Sequence, residues 1–220
     1  MLDRFGSTTS TLGFFEGKYE SVATAYFDWQ RPVLARFDAQ LIQRSVDGPL
    51  ETVLSALLPL TSPLRERFLF LETRSTWTAF LDNFWRGTDA AAPVHYLSKR
   101  LGTRGIRVTV VANDSREDAG TILEVCEADG SRRSIFCARD GNRWKFGENG
   151  TPLSFEDLDR YNAKRVKDRF PPRLAMEYLA ALGVQADHDS FFEPEGQARG
   201  ILLSREGPRP DSFREHERPW

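Results

Sequence analysis

The chain has 220 residues, 40% hydrophobic and 28% charged, with 16 Phe and five Trp; this is ample bulky apolar material for a core, and wholesale disorder is excluded. A formal charge of -2 supplies no global field toward nucleic acid or an anionic membrane, so any such binding has to be local. The most apolar segment, Val53 to Leu60, is interrupted by Ser55 and Pro59 and falls far short of the roughly 20 residues that span a bilayer, which excludes a membrane helix there.

Met1 to Ser10 is short, mixed and polar, unlike a secretion signal, and a cytoplasmic location is expected. Thr11 to Phe15 reads as a strand broken by Glu16-Gly17. Ser21 then caps a helix with Val22, Ala25, Tyr26 and Trp29 on one stripe, and Pro32 ends it. Leu34 to Val46 reads as a long half-exposed strand, because Phe37, Ala39 and Leu41 alternate with Arg36, Asp38 and Gln40. Asp47-Gly48-Pro49 turns into a helix with Leu50, Val53, Leu54, Leu57 and Leu58 on one face.

Arg67 to Glu72 is apolar on both faces, as suits the centre of a sheet covered on both sides. Thr76 to Leu81 sets Trp77, Ala79 and Leu81 on one face and Thr78 and Phe80 on the other. A helix is predicted from Ala90 to Leu101 with Val94, Leu97 and Leu101 inward and Gly102 as its stop. The β-branched run Gly105 to Ala112 is the plainest strand of all.

After a polar loop from Asn113 to Gly120, three strands form a meander, with a two-residue turn at Asp129-Gly130 and a three-residue turn at Asp140 to Asn142. That register puts Leu123, Val125, Phe136, Ala138, Trp144 and Phe146 on one face. It also holds Cys126 and Cys137 four residues apart, about 13 Å and too far for a disulfide. Ser154-Phe-Glu-Asp157 has the form of a capping box opening a helix to about Lys167, and Pro171-Pro172 opens a last helix with Leu174, Tyr178, Leu179 and Leu182 inward. Gly200 to Ser204 adds an edge strand. The fold class is α+β, with a mixed, largely antiparallel sheet and a C-terminal β-meander packed against four to five helices. Residues 1–205 are expected to form one domain, and 206–220 a flexible tail unless Phe213 or Trp220 docks.

No phosphate-cradling loop, nucleophile elbow or metal-ligand spacing of Cys or His is found, and neither a metal nor a cofactor is expected. His188 sits among Asp187, Asp189, Glu193 and Glu195, but neighbouring residues of an extended segment point apart and no glycine supports a calcium loop. Arg160, Lys164, Arg165, Lys167, Arg169 and Arg173 concentrate positive charge that phosphates could meet, with Tyr161 or Phe170 as stacking partners. A solvated helix face explains the same residues, and nucleic acid is disfavoured.

The corner after the second central strand gathers the candidate binding residues Trp77, Asp82, Asn83, Trp85, Arg86 and Asp89, with His95 on the helix that follows. Loops on rigid elements concentrate binding groups, and Trp and Arg are favoured interface anchors. Each component also has a structural use: Asp89 or Thr88 as a helix cap, Asp82-Asn83 as a turn, Arg86 as a counter-ion, His95 as a surface histidine. The expected function is a non-enzymatic protein-interaction protein, of inhibitor or immunity type, binding another protein through this corner. The rival is a hydrolase or transferase of unfamiliar pattern that uses Asp82 or Asp89 as base or metal ligand and His95 as proton carrier. A third reading is nucleic-acid regulation through the basic 160–173 segment.

Overall fold

Near-continuous apolar runs, Phe68 to Leu71 and Trp77 to Leu81, mark the middle of this chain, and a strand buried on both faces is what such runs build. The computed structural model describes residues 5, 8–111 and 119–217. In chain order these carry β1 (Thr11–Glu16), α1 (Tyr19–Ala35), β2 (Gln40–Gly48), α2 (Leu50–Ser55), β3 (Leu60–Ser62), β4 (Arg67–Glu72) and β5 (Trp77–Asp82). There follow α3 (Ala91–Leu101), β6 (Gly105–Val111), β7 (Gly120–Cys126), β8 (Arg132–Asp140), β9 (Arg143–Asn149), α4 (Pro172–Ala181), β10 (Ala198–Glu206) and β11 (Arg214–His216). The polar loop expected from Asn113 lies mostly outside the described residues, as does Trp220.

Among the described residues nine strands form one sheet in the order β2-β10-β4-β5-β1-β6-β7-β8-β9, and β11 with β3 forms a small second one. The fold is α+β, but the expectation of a mixed sheet is corrected, since every pairing in the large sheet is antiparallel. The reason lies in two intercalated strands. The unit β5-α3-β6 is split by β1, which pairs antiparallel with both strands. In the same way β10 returns from the far end of the chain to lie between β2 and β4.

Covering layers on both faces make β5 wholly buried. On one face Phe15, Phe70 and Phe80 pack with Val22 and Tyr26 of α1 and Val94 and Leu97 of α3. On the other, Phe14, Leu69, Leu71, Trp77 and Leu81 pack with Leu54 of α2, Leu179 of α4 and Phe191 and Phe192. Each fully buried Leu or Phe contributes about 1.5–3 kcal/mol through removal of apolar surface from water.

Three predicted elements are corrected. Pro32 lies inside α1, which starts at Tyr19 and continues to Ala35; a turn with Asp38 at φ 51° then delays β2 to Gln40. The capping-box helix from Ser154 does not form. Glu156 instead accepts hydrogen bonds from the Leu153 amide (2.8 Å), Arg133 Nε and Nη2 (2.9 and 2.7 Å) and the Tyr161 hydroxyl (2.9 Å). This draws the segment onto the meander with only short 3-10 turns at Arg160–Asn162 and Val166–Asp168. Among the described residues there are therefore four α-helices, the lower end of the expected range.

The meander register is also corrected. Cys126 pairs with Arg132, and the Glu127 amide donates to Ser131 O to close a three-residue loop, 128–130, with Gly130 at φ 87°; Asp140 pairs with Arg143 around a two-residue turn. The two one-residue errors invert the facing of β8 and slide β9 by two residues, which leaves its facing unchanged: Leu123 lines up with Ile135 and Glu148. Ile135 and Cys137 enter the core where Phe136 and Ala138 were expected, while Phe136 is 40% exposed. Both cysteines are free and buried; they line cores on opposite faces of the sheet.

Residues 207–217, part of the segment expected to be flexible unless it docks, fold back on the body. β11 pairs with β3, and Arg209 forks onto Glu66 at 2.7 and 2.6 Å. The Arg209 guanidinium also lies 4.3 Å above the Phe213 ring.

Candidate functional site

The corner after β5 is organised by its buried polar residues. Asp82 ends the strand with its side chain fully enclosed; Oδ1 accepts from the Phe84 amide (2.9 Å) and Oδ2 from the Asp89 amide (3.0 Å). Thr88 Oγ1 accepts from the Asp82 amide at 3.1 Å. Thr88 and Asp89 thus tie back to the strand end instead of capping α3, whose N-cap position is Ala90. Burial pushes the Asp82 carboxyl up to about 7, although the two amides and Arg65 favour its charged form.

Asn83 is equally enclosed and joins three strands. Its Oδ1 accepts from the amides of Glu66 (2.9 Å) and Arg67 (3.1 Å), and its Nδ2 donates to Pro59 O at 2.9 Å. Its own amide donates to Arg67 O, and its carbonyl accepts from Thr61. A side-chain amide is suited to this position because it satisfies donors and acceptors together.

Beyond this knot the loop emerges. Trp85 is half-buried and Arg86 exposed. The Arg86 guanidinium lies 4.6 Å over the Trp85 ring, and the His216 ring of β11 stacks on Trp85 at 5.0 Å with a 12° interplanar angle. His216 Nε2 is 2.9 Å from Ser62 Oγ on β3, which fixes the ring in place. Arg65 lies 4.8 Å over Phe84, makes an ion pair with Asp89 and approaches Asp82 Oδ2 at 3.5 Å.

The predicted site residues therefore separate into three groups. Asp82, Asn83, Trp85, Arg86 and Asp89 share the corner. Trp77 sits at the other end of β5, is buried, and donates from Nε1 to Leu182 O at 2.9 Å, so it serves the α4 core. His95 is exposed on α3 and does not line the cleft of about 230 Å³ on which Tyr26, Trp29, Arg65, Asp82 and Asp89 converge. In the basic segment, Arg160 and Arg169 donate to backbone carbonyls, Arg165 and Arg173 pair with Asp168 and Glu177, and both expected stacking rings, Tyr161 and Phe170, are buried.

Sequence reasoning passed over Arg65 and His216. Arg65 stands in an irregular link with no periodicity to mark it, and β11 is too short for a strand pattern to register. Comparison with protein-family models, curated proteins and solved structures found no match.

Proposed function

We propose that this chain is a non-enzymatic protein-interaction protein, of inhibitor or immunity type, whose recognition surface is the Trp85–Arg86 loop with its His216 support. The observation that carries the reading is a division of labour at the corner. Asp82, Asn83 and Thr88 are consumed in holding the backbone, while Arg86 is exposed and Trp85 half-exposed on that base. Pre-ordered aromatic and guanidinium groups lose little entropy on docking, which makes them efficient anchors.

The rival enzymatic reading has one feature in its favour, a buried carboxylate near neutral pKa beside a cleft. Against it, both Asp82 oxygens are occupied by amides and enclosed, and His95 lies apart from the carboxylates. A general base has to reach its substrate. The test is affinity capture from the native lysate with the wild type and with Trp85→Ala and Arg86→Ala. Loss of a specific captured protein in both variants is expected, with unfolding free energies within about 1 kcal/mol of wild type. Identical retrieval by all three proteins overturns the assignment.

A further inference from the structure

Arg86 and Arg214 differ from most arginines around this corner. Arg65 pairs with Asp89, and Arg209 with Glu66 and Glu215. Arg86, by contrast, stacks on the face of Trp85, and Arg214 donates to the carbonyls of Asp211 and Phe213; among the described residues neither guanidinium meets a carboxylate. Stacking on an indole uses the flat face of a guanidinium and leaves its N–H edge free to fork onto a planar anion. Strand alternation puts Arg214 on the same side of β11 as His216, and so on the side of the Trp85 stack.

We propose, building on the interaction reading above, that this face receives an acidic segment of a protein partner, with Asp or Glu carboxylates on Arg86 and Arg214 and a side chain packed across the Trp85–His216 stack. Two cations that meet no carboxylate among the described residues, beside a pre-stacked aromatic pair, complement discrete carboxylates. A nucleic acid also offers anions and flat bases, but it carries phosphate charge at every step. Asp211, Glu215 and Glu217 are exposed along the same segment, so positive charge is confined to single guanidinium groups and gives a continuous polyanion no unbroken track. Separate carboxylates can be placed between these acids.

The full chain, labelled with ¹⁵N, is titrated with three probes: the peptide Glu-Glu-Trp-Glu-Glu, its Lys-for-Glu counterpart and a single-stranded DNA 12-mer. The acidic peptide is expected to shift the Trp85 indole N–H signal and to bind roughly tenfold more weakly to Arg86→Ala, the size expected for one charge-assisted hydrogen-bonded contact. Arg86→Lys is expected to fall between, since it keeps the charge without the fork. Equal binding to wild type and Arg86→Ala overturns the proposal, as does an unshifted Trp85 signal at millimolar peptide. Tighter binding of the DNA with steep salt dependence replaces it with nucleic-acid recognition. If capture from lysate depends on Trp85 but survives Arg86→Glu, the surface stands and the acidic partner falls; if capture ignores Trp85, the interaction reading itself fails.

Discussion

Asn83 and Asp82 are adjacent, equally buried and different in their chemistry. Asn83→Ala leaves the amides of Glu66 and Arg67 without their acceptor inside the protein, and a loss of about 3 kcal/mol in urea unfolding is expected. A change within 0.5 kcal/mol, roughly the scatter of ordinary surface substitutions, would mean that water replaces the side chain. Asp82 makes the opposite pH argument from an ordinary salt-bridged carboxylate. Its folded value is raised to about 7, above the usual 3.8, so the folded state binds the proton more tightly than the unfolded one. Its contribution is fully present below about pH 4 and is lost as pH rises to about 7, a decline of a few kcal/mol. The stability difference between wild type and Asp82→Asn is expected to shrink across that window; a flat difference would show that Asp82 titrates normally. Asp82-Asn83 was legible as a turn, but its burial was not, because polarity and turn chemistry give no depth.

At the scale of elements, β8 shows how a strand can be recognised and still be assigned the wrong face. Arg132 to Asp140 has apolar residues at Ile135, Phe136 and Cys137, so both alternations look credible until the turns fix the register. The observed pairing puts Phe136 opposite Gly147, where the ring covers the glycine so closely that an added Cβ would come within 2.5 Å of it. Ile135→Ala is expected to cost about 2–4 kcal/mol and Phe136→Ala about 1 kcal/mol, measured by chemical unfolding. The reverse order would restore the register that the sequence suggested.

The clamp on β8 explains the missing helix at Ser154. Arg133 and Glu156 are both buried, so Arg133→Ala strands a carboxylate and is expected to cost about 3–5 kcal/mol. Arg133→Met with Glu156→Leu removes both charges and is expected to cost less than the single change; a larger loss would show that the pair itself, not the orphaned charge, dominates. The helix predicted from the capping box does not form, because Glu156 is taken by a partner 23 residues away.

At the scale of the molecule, stability and the candidate surface meet in the C-terminal segment. It brings β11 to β3, Arg209 to the largely buried Glu66 and His216 to Trp85. A chain ending at Glu206 is expected to remain folded, because both cores lie upstream of the cut, but to lose about 2 kcal/mol as Glu66 keeps only Arg205 at 3.9 Å. Its Trp85 should become more accessible to acrylamide quenching. An unchanged melting temperature and unchanged quenching would show that the docked segment contributes nothing.

The sequence by itself determined where most strands and helices lie, because apolar periodicity and turn residues act over a few positions; it also marked the corner, since Trp and Arg are conspicuous beside a strand end. Tertiary structure alone decided that β1 and β10 slip between other strands, that Glu156 leaves its helix for Arg133, and that His216 supports Trp85. Those outcomes turn on groups dozens of residues apart competing for the same hydrogen-bond and packing partners, and local pattern carries no record of which competitor wins.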